Sequence, residues 1–144
     1  MAKVQTKIFK LVLKSTPKEI SKVEPFLKKV NRYIQFEEIQ FHNLLVATTE
    51  AVNNSITHGN LRDPKKLVEI TAAASTTTIE IHVCDEGRGI NFKNIPNPLD
   101  EKNLLRENGR GIFIIQQFMD SVQFNRSATG SEVIMKLRKR KSKT

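Results

Sequence analysis

Residues 67–85, LVEITAAASTTTIEIHVCD, constrain the fold of this chain more than any other stretch. "LVEITAAAS" and "TIEIHVCD" are rich in β-branched residues and place apolar side chains at every second position, the pattern of half-buried strands. Only the residues around Thr76–Thr78 join them. A connection that short pairs the two strands antiparallel, because parallel neighbours need a crossover of roughly a dozen residues or more. "VQFNRS" and "SEVIMKLR", separated by "ATG", read the same way as a closing hairpin. "KIFKLVLKS" over 7–15 is an early strand in which alternation gives way to an apolar run.

Three other segments carry a helical period. In "STPKEISKVEPFLKKVNRYI", Ser15 or Thr16 stands as N-cap, Pro17 lies in the first turn, and residues 20, 23, 26, 27 and 30 are apolar. Pro25 is expected to bend this helix or split it in two. A longer helix runs from Phe36 to about His58, with Ile39, Leu44, Ala47 and Ala51 on one apolar stripe and Gly59-Asn60 as its C-terminal stop. "GIFIIQQFMDSV" (111–122) is a third, largely buried helix. Residues 87–109 hold Gly87, Gly89, Gly109, Pro96 and Pro98, and a loop that long inside a compact domain marks a functional lid, here 90–108. These patterns make an α+β chain: a two-layer sandwich of a mixed, mostly antiparallel sheet with helices on one face.

At 144 residues, the chain forms one domain with a real core. No apolar run approaches the ~20 residues of a membrane span, and no basic-then-apolar leader opens the sequence. Cys84 is the one cysteine, which excludes an internal disulfide and points to a reducing cytoplasm. The net charge of +9 is unevenly spread. Residues 1–32 carry nine Lys/Arg against two acids, and 136–144 carry six against none, while 33–135 is net negative by four. A solubilising face with a frayed basic tail over 138–144 explains this first, an acidic protein partner second. Nucleic acid comes third, since one Tyr and no Trp offer little base stacking.

Three places carry chemistry. "EAVNNSITHGN" (50–60) puts Glu50, Asn54 and His58 on one helical face, with Asn53 and Thr57 alongside. A carboxylate one turn from an amide oxygen suits a hard cation plus a proton acceptor. A polar helix end fraying into a turn is the alternative. "IHVCDEGRGI" runs an apolar strand into Asp85, which can accept from an exocyclic amine, with Gly87 and Gly89 allowing close backbone approach. A strand end with a turn explains it as well. "ENGRGIFII" opens a helix at Gly109-Arg110-Gly111, where free N–H groups can bind phosphate. No Walker-type motif occurs, and the third glycine of a dinucleotide fingerprint is missing. Cys84 reads as a buried strand residue, His42 and His82 as structural, and no His/Cys spacing suggests zinc.

Taken together, E-x-x-x-N-S-x-x-H-G, D-x-G-x-G and G-x-G-I-F, in that order, resemble the GHKL (Bergerat-fold, histidine kinase-like) ATPase superfamily, and within it the bacterial anti-sigma factor serine/threonine-protein kinases. The likeness spans about 7–137. It implies that Glu50 is the catalytic base and that Asn54 binds Mg²⁺. Asp85 would contact the adenine amine, with Gly87, Gly89 and Ile90 shaping that pocket. Gly109, Arg110, Gly111 and Ile112 would line the phosphates. Ser131 follows Gly130 where the family commonly has threonine, and its hydroxyl can still support the adenine contact. His58 matches a family position but reads as helix-end packing.

The function so implied is an ATP-binding anti-sigma factor. It holds a sigma factor off RNA polymerase and phosphorylates a serine on a competing anti-sigma-factor antagonist. A homodimer is expected, as the resembled proteins are commonly dimeric. The alternatives are a nucleotide-binding module without transfer activity, the catalytic domain of a histidine kinase, and a nucleic-acid binder with a vestigial pocket. The sequence has no dimerisation segment with a phosphoacceptor histidine, which weighs against the second.

Overall fold

A computed structural model of the chain describes residues 5–87, 107–127 and 129–140, with the backbone alone at 107–109 and 127. Five strands make one sheet: β1 (Lys7–Lys14), β2 (Leu67–Ala74), β3 (Thr78–Asp85), β4 (Ser121–Ser127) and β5 (Gly130–Arg138), in the spatial order β1-β2-β3-β5-β4. All four pairings among the described residues are antiparallel, so no parallel pair justifies the word "mixed". Topology explains this. Two helices separate β1 from β2 and return the chain reversed, and β5 inserts between β3 and β4, which run the same way.

The alternation in 67–85 becomes a two-sided sheet. Val68, Ile70, Ala72 and Ala74 of β2 and Ile79, Ile81 and Val83 of β3 are fully buried, while the residues between them face outward. Three helices cover the buried face: α1 (Val23–Ile34) over β2, α2 (Glu38–Asn54) over β3, and α3 (Glu107–Phe118) against α2 and β4. Ala47 and Ala51 of α2 and Ala72 and Ala74 of β2 are wholly buried, and side chains this small let the two layers approach closely. Leu27, Ile34, Leu44, Ile56 and Ile115 fill the space between, each contributing roughly 1.5–3 kcal/mol by leaving water. The β2–β3 connection is built by Ser75, whose hydroxyl accepts from the N–H groups of Thr77 and Thr78 at 3.1 and 3.0 Å.

Several local expectations need correction. The first helix is split, but at Lys22/Val23: a 3-10 turn, Pro17–Lys22, precedes α1. Pro25 sits in the first turn of α1, where no intrahelical N–H is lost. Neither Ser15 nor Thr16 caps through its side chain. Glu19 instead ties the turn back to the strand, accepting from the Lys14 N–H at 3.1 Å, and its carboxyl is held below the usual range by its hydrogen bond to Lys22. Ile39 is 77% exposed, away from the stripe that buries Leu44, Ala47 and Ala51. The third helix stops at Phe118, and Ser121 and Val122 already belong to β4.

The end of the second helix differs most. Gly59 does not close it in a left-handed conformation. A π turn, Ser55–Gly59, follows Asn54, and the Asn60 N–H reaches back five residues to the Ser55 carbonyl at 2.8 Å. The positive φ angles come later, at Leu61 (53°) and Arg62 (57°). That wide turn drives Asn60 inward, where it is fully buried.

Candidate functional site

Asn60 pins the site. Its amide donates to the Ser15 hydroxyl at 2.8 Å and the Leu67 carbonyl at 3.0 Å, and its oxygen accepts from the Glu86 N–H at 2.8 Å. Three segments (the exit of β1, the entry of β2 and the exit of β3) are thus tied to the end of α2. Ser15 adds a hydrogen bond to the Lys66 carbonyl at 2.7 Å, and the Glu86 carboxylate accepts from the Leu67 N–H. Buried polar groups satisfied this fully fix geometry as well as stability.

Asp85 ends β3 inside this frame. Its Oδ1 accepts from the Gly87 N–H at 2.9 Å and from the Ser131 hydroxyl at 2.8 Å. Its Oδ2 accepts from no described residue. Glycines crowd around it. A Cβ on Gly59 would lie 2.3 Å from Asp85 Oδ2, one on Gly87 would lie 1.8 Å from the Gly59 carbonyl oxygen, and one on Gly130 would lie 1.9 Å from the Asp85 carbonyl oxygen. Gly59 is therefore required for space and not for helix termination. Beside Asp85 opens a narrow cleft lined by Asn54, Gly59, Phe124, Ser131 and Val133 among others. The free Oδ2 of Asp85 beside the side chains of Phe124 and Val133 suits a planar heteroaromatic ring with an exocyclic amine.

One turn earlier on α2, a second cleft is lined by Glu50, Asn53, Asn54, Arg110, Gly111 and Ile114. Asn54 borders both clefts and joins them into one elongated site. The N-terminal part of α3 approaches so closely that a Cβ on Gly111, its fifth residue, would lie 3.0 Å from Glu50 Oε2 and 3.3 Å from Asn54 Nδ2. Neither the Glu50 carboxylate nor the Asn54 amide has a hydrogen-bond partner among the described residues. Two unengaged oxygen donors at a helix start fit a hard cation that keeps most of its shell as water and phosphate. Among the described residues, no group of three or more His, Cys, Asp or Glu side chains is arranged to hold a metal ion.

The structure therefore brings Glu50, Asn54, Arg110 and Gly111 together at one end and Asp85, Gly87 and Ser131 at the other. Gly109 lies in the first turn of α3, and the Ile112 side chain is buried. Gly89, Ile90 and most of the lid, 90–106, lie outside the described residues. His58 is exposed and not packed at the helix end. Sequence reasoning missed Asn60, which looked like a helix stop, and Phe124 and Val133, which it placed only as strand residues of the closing hairpin. No local signal separates them from those roles; only the cleft does.

The open face of the sheet behind Asp85 carries its own charges. Nε2 of His82 lies 2.7 Å from Glu80 and Nδ1 lies 3.1 Å from Glu132. Burial alone would lower the His82 pKa, but the hydrogen bonds to Glu132 and Glu80 more than offset it and raise it. Cys84 is half-buried, not fully buried as expected, and donates to Glu132 at 3.3 Å. Burial, then that carboxylate, push its thiol up to about 12.

The chain matches the histidine kinase-like ATPase domain over residues 13–137 and belongs to that family. Among curated proteins it is 36% identical over 97 residues to an anti-sigma F factor of Clostridium perfringens, covering 65% of this chain and 69% of that protein. It is 39% identical over 99 residues to the anti-sigma F factor of Oceanobacillus iheyensis, covering 67% and 68%. In fold it is similar to the RsbU and RsbW domains of a Mycobacterium tuberculosis protein, with a TM-score of 0.68 at 17% identity, covering 92% of this chain and 32% of that one. A mycobacterial sensor histidine kinase superposes with a TM-score of 0.55 at 15% identity, covering 92% and 99%. No helix among the described residues is long and apolar enough to cross a membrane.

Proposed function

We propose that this protein is a cytoplasmic, ATP-binding anti-sigma factor that sequesters a sigma factor and phosphorylates a serine or threonine on an anti-sigma-factor antagonist. The observation that carries the proposal is the juxtaposition of unengaged Glu50 and Asn54 with the glycine turn of α3, in line with the half-free carboxylate of Asp85. The curated relatives named anti-sigma F factors support the regulatory half of the reading.

In this reading, Asp85 Oδ2 accepts the exocyclic amine of adenine, while Ser131 and the Gly87 N–H hold Oδ1 and so orient the carboxylate. Phe124 and Val133 supply apolar walls. Asn54 holds Mg²⁺, which would neutralise phosphate charge. The free backbone N–H groups of the first turn of α3, Gly109 among them, with Arg110, receive the phosphates at a helix start that lies at Glu107 and not at Gly109–Gly111. Glu50 accepts the proton of the attacking hydroxyl. Two copies of the chain form the working regulator.

The test is label transfer from ATP to the antagonist, run beside sigma-factor capture. Glu50→Gln keeps shape and volume, so nucleotide binding and capture should persist while transfer falls about 10²–10⁴-fold. Asn54→Ala should instead weaken Mg²⁺-ATP binding itself. If the unmutated protein binds ATP but transfers nothing, the chain is a nucleotide-binding module without kinase activity.

A further inference from the structure

The far end of the sheet from the nucleotide cleft gathers the basic segments of both chain termini. Ser131 pairs with Asp85 at one end of β5, and Arg138 pairs with Thr78 at the other, roughly 24 Å away at about 3.4 Å per residue. Lys7 pairs with Ala74 and so lies at this same end. Specific contacts hold the segments together. Lys139 Nζ donates to the Ile34 carbonyl at 2.9 Å, the last residue of α1. Gln40 bridges the Arg138 carbonyl and the Arg140 N–H at 2.9 and 2.8 Å. Lys7 Nζ sits 4.5 Å over the Tyr33 ring, and the Tyr33 hydroxyl donates to the Gln5 carbonyl at 2.6 Å. Far from fraying, the chain through Arg140 is docked.

These cations are mostly unneutralised. Arg140 pairs with Asp120, and Lys136 makes a long 3.8 Å contact with Glu80. The side chains of Arg138, Lys139 and Lys7 form no ion pair among the described residues, although the Arg138 N–H donates to Asp120 at 2.7 Å. Lys136, Arg138, Lys139 and Arg140 border an open concavity that also includes Thr78, Asp120 and Ser121. Exposed Glu37 and Glu38 stand at the start of α2. The nucleotide cleft, with Glu50 and Asp85, gains nothing from positive charge placed this far off, since screening acts within about 8–10 Å.

We infer that this basic end, centred on Lys136 and Arg138, is a docking surface for an acidic segment of a partner protein, separate from the nucleotide site. Charge complementarity selects an acidic chain. Nucleic acid fits less well: single strands need stacking platforms, and Tyr33 is already occupied by Lys7 and Gln5. Duplex binding needs a row of phosphate contacts, whereas these cations ring a cleft that contains Asp120.

The probe is a fluorescent peptide of alternating Glu and Ala, titrated at about 50 and about 150 mM salt, beside a random-sequence DNA duplex. Lys136→Ala/Arg138→Ala should weaken peptide binding about tenfold, because two interfacial charges are removed together. Lys18→Ala/Lys65→Ala removes the same net charge from exposed positions elsewhere and should change it less than about twofold. ATP affinity should be untouched in both, which separates this result from any failure of the nucleotide reading. A Lys136→Gln/Arg138→Gln protein repeats the test if the alanine pair melts early. Equal losses in the two charge-matched pairs, tighter binding to the duplex than to the peptide, or no peptide binding at the lower salt would each overturn the inference.

Discussion

The two ends of the β3–β5 ladder are built on opposite terms. At the Asp85–Ser131 end, space is scarce and acceptors are left free: Gly59, Gly87 and Gly130 let backbones meet, Asn60 ties the segments, and Asp85 Oδ2 accepts nothing from the described residues. At the Thr78–Arg138 end, space is open and donors predominate, with lysine and arginine held by backbone carbonyls. One end is a packed frame around a cleft, the other a charged rim. A packed frame is sensitive to single atoms. A rim answers to net charge and salt.

Substitutions can break that contrast. The largest effect is expected at Asn60. Asn60→Ala removes three hydrogen bonds and leaves the Glu86 N–H and Leu67 carbonyl short of partners, a loss of about 3 kcal/mol that a denaturant midpoint would read. Arg138→Ala at the other end should stay within about 0.5 kcal/mol of the parent. Equal losses at the two positions would dissolve the distinction.

Gly59→Ala comes next. A methyl group 2.3 Å from Asp85 Oδ2 must displace the carboxylate, at about 1–3 kcal/mol of stability, and ATP binding should fall with it. Calorimetric titration of ATP checks this, and an unaltered affinity would mean that Asp85 is not the purine contact. Asp85→Asn sharpens the same point: roughly tenfold weaker ATP binding, or about 1.4 kcal/mol, with the fold retained.

Smaller effects belong to the open face of the sheet. The raised His82 pKa contributes stability that is full below its ordinary 6.5 and is lost as pH rises through the higher folded value. Burial pushes Glu132 up, but hydrogen bonds from His82 and Cys84 hold it below its ordinary 4.5, so its share is full above 4.5 and is lost as pH falls through the lower folded value. Their joint contribution is therefore full between about pH 4.5 and 6.5, and partial exposure keeps it below about 1 kcal/mol. His82→Gln should narrow the stability difference from the parent at pH 9 compared with pH 6; a constant difference would argue against the ion pairs. Cys84, with its thiol at about 12, should alkylate slowly at neutral pH, and Glu132→Gln should speed it modestly. Thiol-labelling rates decide the matter.

The sequence by itself determined the strands, because period-2 alternation and short connections leave only one face and one direction for each pair. It also brought the candidate site residues Glu50 and Asn54 together: they are four apart on a helix, and that spacing alone places them side by side. Tertiary structure decided the rest. The stop at Gly59-Asn60 looked local, yet its geometry is a π turn whose purpose lies in contacts with Ser15, Leu67 and Glu86, 45, 7 and 26 residues away. Ile39 carried the right period for a buried stripe and ended up exposed, because helix phase says which residues share a face and not how far that face is covered. Charge behaved likewise. Composition could count the lysines and arginines at both termini, but only the pairing of β1 with β2 and β3 with β5, across sequence separations that no local pattern encodes, brought them to one end of the sheet.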